Sequence, residues 1–69
     1  MNIENLLKMA NQIAGFFESY PDRDAAVVET AGHIRRFWAP TMREQLVRHV
    51  EATQGEGVSA LVREAVRRL

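Results

Sequence analysis

The chain has 69 residues, 46% of them apolar, with nine Lys and Arg balanced by nine Asp and Glu and no cysteine. This is room for one small domain, whose single core rarely supplies more than about 3–5 kcal/mol, and the missing cysteines exclude disulfides and thiolate zinc as reinforcement, so a partner surface becomes the leading stabiliser. Balanced charge argues against nucleic acid or anionic lipid as a partner, no apolar run exceeds four residues (Ala25 to Val28), and the first five residues lack the basic start of a secretory leader, so a cytoplasmic location without membrane contact is expected.

The first predicted helix covers about 3–19. Ile3, Leu6, Leu7, Ala10, Ile13, Ala14 and Phe17 repeat at the spacing of one helical face. Asn2 can cap its first turn, and Pro21 ends it near Ser19 or Tyr20. Met9, Phe16 and Tyr20 form a second strip beside the first, so the apolar arc spans roughly half the circumference. Either two neighbouring helices of the chain or another protein must cover that strip. Gly15, on the polar side, costs the helix about 1 kcal/mol relative to Ala, a cost that close packing against it would offset.

A second helix over about 23–38 is capped by Asp22 or Asp24, with Val27, Ala31, Ile34 and Trp38 inward and Phe37, Ala26 and Thr30 flanking them. Ala39-Pro40 ends it and starts a third over about 40–53, with Met42, Leu46, His49, Val50 and Thr53 on one face. Gly55 is the expected left-handed cap of that helix. Ser59 caps a short fourth helix over 60–69, with Val62, Ala65, Val66 and Leu69 at helical spacing. No segment alternates as a strand would. The expected fold is therefore all-α, a single domain over 1–69 built as a small bundle of three main helices and a short C-terminal one.

Charge is distributed unevenly about Ile34. Two basic residues face five acidic ones before the cut, and seven arginines face four glutamates after it. Pairing between the halves and an anion site both account for this pattern.

Little in the sequence supports catalysis by this chain. Ser19 and Ser59 lie at helix ends and read as turn or cap residues. Glu29 and His33 stand one turn apart, yet His49 is the only other histidine, too few ligands for a metal shell. Gly55-Glu56-Gly57 follows a helix and lacks the strand and third glycine of a dinucleotide loop. Four short helices also leave little room for a concave cavity of several hundred cubic ångströms. No catalytic, cofactor-binding or metal residue is assigned.

The richest segment is His33-Ile34-Arg35-Arg36-Phe37-Trp38-Ala39-Pro40-Thr41-Met42-Arg43. Its arginines, aromatic residues and Met are the types enriched in interface cores. Arg35 and Arg36 suit the negative end of the second helix, whereas Arg43 at the start of the third opposes the dipole there.

With Met9-Ala10-Asn11-Gln12-Ile13, Phe16-Phe17 and Tyr20-Pro21, this segment resembles the small delta subunit of bacterial NAD-dependent formate dehydrogenase; Gly57 and Leu61-Val62-Arg63-Glu64-Ala65 are similar to the family's looser tail. The resemblance covers nearly the whole chain. It implies a non-catalytic accessory subunit of a cytoplasmic complex that oxidises formate and passes electrons to NAD, stabilising the complex or assisting maturation of its large catalytic subunit. The molybdenum or tungsten bis-pterin cofactor, iron–sulfur clusters and flavin are then expected in partner subunits and none in this chain.

On this reading Met9, Phe16, Tyr20, Arg35, Arg36, Phe37 and Arg43 form the surface that meets the large catalytic subunit. The alternative is a maturation chaperone whose arginines grip a phosphate of a nucleotide or of the pterin cofactor. An isolated chain with so much apolar helix surface can also pair with a second copy.

Overall fold

The computed structural model describes residues 2–69, and among these it contains four helices and no strand. Each helix starts where a side chain or a proline settles the free backbone groups of its first turn. Asn2 Oδ1 accepts the Glu4 N–H at 2.7 Å and opens α1, Ile3–Phe17. Asp22 Oδ1 accepts the Asp24 N–H at 2.9 Å and opens α2, Arg23–Phe37. Pro40, which has no N–H to satisfy, occupies the first turn of α3, Pro40–Thr53. Ser59 Oγ accepts the Val62 N–H at 3.3 Å and opens α4, Ala60–Val66.

Three helix ends come earlier than the periodicity predicts. α1 stops at Phe17 because Pro21 restricts Tyr20, whose N–H closes back onto the Phe17 carbonyl at 3.1 Å in a tight turn. α2 stops at Phe37; Trp38 still donates its N–H to the Ile34 carbonyl at 2.9 Å, but its own backbone is already extended ahead of Ala39-Pro40. In α4 the Arg68 and Leu69 N–H groups bond three residues back, to Ala65 and Val66, so the last turn tightens after Val66. The left-handed end of α3 begins one residue before the expected glycine, at Gln54 (φ 58°), and continues with positive φ at Gly55 and Gly57. A side chain at Gly55 would also run into the Arg63 stem, so glycine is required there twice over.

α2 packs most extensively on α4 and next on α1, while α3 lies against α1 and α4. Leu6, Ile34, Leu46, Leu61 and Val62 are fully buried where these helices meet. Of the expected α3 face only Leu46 is buried; Met42, His49, Val50 and Thr53 are half-buried at its edges. Leu61, outside the stripe expected for α4, is wholly inside, because this seven-residue helix inserts between its neighbours and buries two sides. The buried Thr30 hydroxyl donates to the Ala26 carbonyl at 2.8 Å, and no buried side-chain polar atom among the described residues lacks a partner.

The α3–α4 loop is held by polar contacts. Asn11 Nδ2 donates to the Gly57 carbonyl and its Oδ1 accepts the Ser59 N–H, both at 2.9 Å. His49 Nε2 lies 2.6 Å from the Glu56 carbonyl, an acceptor only, so this nitrogen carries a proton. Asn11→Ala frees two loop groups at once and is expected to cost about 1–3 kcal/mol, read as a drop in Tm of several degrees in a thermal melt; an unchanged Tm would show that the loop holds without this clamp.

Gly15 and Gly32 lie in helices where, among the described residues, no atom beyond the chain neighbours and the helix's own nearby backbone comes within 4 Å of where a Cβ would stand, so no neighbouring helix packs closely against Gly15. Replacing either with Ala is expected to raise stability by about 0.5–1 kcal/mol, measured by denaturant titration; a loss of stability would contradict the open space found at that position.

Charge pairing crosses Ile34 in both senses. Asp24 meets Arg68 at 2.7 Å, as pairing between an acidic and a basic half requires, but Arg23 of the first half reaches Glu64 of the second as well as its neighbour Glu18. The hydrogen bonds that Arg23 donates to Glu64 and then to Glu18 raise its pKa above its already high ordinary value. Arg48 pairs with Glu44 along α3. Pairs this exposed are weakened by solvent screening, so they orient helices more than they hold them.

Candidate functional site

One side of the molecule carries an apolar groove. α1 supplies Met9, Gln12, Ile13, Phe16 and Phe17, α2 supplies His33 and Phe37, and the chain around the proline break adds Trp38 and Met42. Its volume is ≈ 540 Å³. Such a cavity was not expected of four short helices; it arises because it is an open trough shared by three of them, not an enclosed chamber.

Helical geometry explains the lining. Ile13, Phe16 and Phe17 follow Met9 at four, seven and eight residues, which brings them to one flank of α1. His33 and Phe37 are one turn apart on α2 and face that flank. Trp38, extended after the end of α2, turns inward and is only 6% exposed, which makes it part of the floor.

Edge-on ring contacts organise the aromatic side. Phe17 is the hub, with ring centroids 5.0 Å from Phe16, 5.4 Å from Tyr20 and 6.3 Å from His33. His33 in turn lies 4.8 Å from Phe37. Phe17 is buried, so this chain of rings is anchored at its centre, while Phe16 remains 73% and Phe37 65% exposed. Exposed phenylalanines on both sides of an apolar trough leave a continuous stretch of apolar surface facing water.

The residues expected at the interface are distributed as follows. Met9, Phe16 and Phe37 line the groove. Tyr20 lies outside the lining, against Phe17, and is 40% exposed. Arg36 is exposed beside the groove, its guanidinium carbon 6.0 Å from the Phe37 ring centroid. Arg35 and Arg43 are turned to backbone instead: Arg35 Nη1 donates to the Arg68 carbonyl at 3.1 Å, and Arg43 Nη1 lies 3.5 Å from the Arg35 carbonyl. The three arginines therefore do not converge on one cavity, as gripping a phosphate would require. Gln12, Ile13, Phe17, His33, Trp38 and Met42 belong to the groove without having been singled out for it. Their shared face is not visible from any single helical repeat, because the trough crosses the Pro40 break.

Elsewhere the potentially reactive groups have structural partners. Ser59 caps α4, the His33 ring lies between those of Phe17 and Phe37, and His49 holds the α3–α4 loop. No three His, Cys, Asp or Glu side chains gather among the described residues, and no helix there is long and apolar enough to cross a membrane. A second, polar cleft of ≈ 420 Å³ lies between α2 and α4, where the Arg23–Glu64 and Asp24–Arg68 pairs form its walls.

A model of the family described as the NADH-dependent formate dehydrogenase delta subunit, FdsD, matches residues 5–66. No curated protein and no solved structure matches the chain.

Proposed function

We propose, because this chain belongs to the NADH-dependent formate dehydrogenase delta-subunit family, that it is a non-catalytic accessory subunit that docks on the large catalytic subunit through its apolar groove. A delta subunit associates with other subunits of its enzyme, and the apolar groove flanked by Phe16 and Phe37 is the observation that supports docking through this face. Burying two such rings and the Met9, Ile13 and Met42 side chains against a partner removes apolar surface from water in both molecules. Marginal stability alone and gain of stability on docking are two sides of the same linkage.

The role is stabilisation of the assembled complex or help in its maturation, in the cytoplasm, with formate oxidation carried out by the other subunits. The bis-pterin metal cofactor, the iron–sulfur clusters and the flavin belong to those subunits on this reading. This chain offers them no cysteine. Tyr20, Arg35, Arg36 and Arg43 are proposed to form the margin of the docking surface.

The test is co-expression of the tagged chain with the large subunit, first alone and then with the remaining subunits, followed by size exclusion. The expected result is a stable complex with the large subunit alone and a lower yield of active enzyme when this chain is omitted. Elution of the chain by itself in both cases would refute the proposal.

A further inference from the structure

Among the described residues the groove's lining contains no carboxylate and no arginine or lysine; its polar groups are those of Gln12 and His33 and the indole N–H of Trp38. Charge appears on the α2 rim. Glu29 stands one turn before His33 and Arg36 three residues after it, both exposed and neither ion-paired among the described residues. Seven residues, about 10.5 Å along the axis, separate an acid from a base beside an apolar trough.

Resting on the delta-subunit reading above, we propose that the groove receives an amphipathic helix of the large subunit, lying antiparallel to α2, with a carboxylate opposite Arg36 and a cation about two turns later opposite Glu29. A helix fits because its backbone is hydrogen-bonded internally, whereas an extended segment would lay unpaired amides on the apolar floor of Trp38, Met42 and Ile13. The order follows from the dipoles: acid early and base late in the incoming helix favours its own macrodipole, and that order meets Arg36 and Glu29 only in the antiparallel sense. A second copy of this chain is a poor occupant. Among the described residues, apart from Phe16 and Phe37, which form the groove's own sides, and Tyr20, held against Phe17, its one exposed large apolar side chain is Val28. A single valine does not fill ≈ 540 Å³.

The test places a photoreactive p-benzoylphenylalanine at Phe37 in the co-expressed complex and identifies the crosslinked peptide by mass spectrometry. One large-subunit segment is expected, with apolar residues at helical spacing and an Asp or Glu about two turns before a Lys or Arg. In parallel, Arg36→Glu is expected to slow association about tenfold at low salt and to weaken its salt dependence. A crosslink to a segment without that charge order, a crosslink to a second copy, no crosslink in a complex that still forms, or an unchanged association rate would each overturn the proposal. Failure of the unmodified chain to assemble is a separate result, which removes the delta-subunit docking reading itself.

Discussion

Leu61→Ala is expected to leave the isolated chain largely unfolded at 25 °C, with the helical circular dichroism signal lost. Leu61 is fully buried on a helix of only seven residues, which packs most extensively on α2. Removing such a side chain costs about 2–5 kcal/mol through lost transfer energy and the cavity left behind. That matches the whole of the ~3–5 kcal/mol that a core of this size supplies. A long helix could keep part of its packing, but α4 is too short to persist in water once its anchor is gone. Val28→Ala, at a position 42% exposed, is the control and is expected to shift stability by less than about 0.5 kcal/mol. A cooperative melt of Leu61→Ala within a few degrees of the parent would show that the core is more redundant than its packing indicates. Adding the large subunit is expected to restore folding, since a partner at 100 times its Kd contributes about 2.7 kcal/mol.

The second large effect is functional. Phe16→Asp and Phe37→Asp, singly, are each expected to leave the fold intact and to weaken assembly with the large subunit by at least about 2 kcal/mol, roughly thirtyfold in Kd. Both rings are mainly exposed in the isolated chain, so the replacement removes little internal packing, whereas in the complex each would bury a carboxylate without a partner. Thermal melts of the isolated variants and affinity measurements on the complex separate the two effects. Glu51→Gln, on an exposed part of α3, is the matched control. Equal affinity for parent and both variants would move the docking surface away from the groove.

Much of the secondary structure was legible because its signals are local. Asn2, Asp22 and Ser59 act within one turn of where they stand, and Pro40 starts α3 through its own ring and the residue before it. Errors at helix ends were local too, a matter of three-residue closures competing with the regular repeat at Tyr20, Arg68 and Leu69. The groove was legible only in part. Phe16, Phe37 and Met9 stood out as apolar residues beyond what one face needs, whereas nothing in the sequence told that Arg35 and Arg43 reach backbone carbonyls. Composition says that guanidinium groups are present; it does not say which acceptor lies nearest.

The sequence by itself determined that the chain is helical, where its four helices begin, and that it resembles a delta subunit, because caps, prolines, periodicity and motif order are all written along the chain. Only the tertiary structure decided that Phe17 is buried while Phe16 beside it is exposed, and that Trp38 turns in while Phe37 stays out. Consecutive residues on a helix point about 100° apart, and which of two adjacent aromatics meets water depends on where the other helices lie. Their arrangement is set by contacts between residues distant in sequence, which no local pattern records.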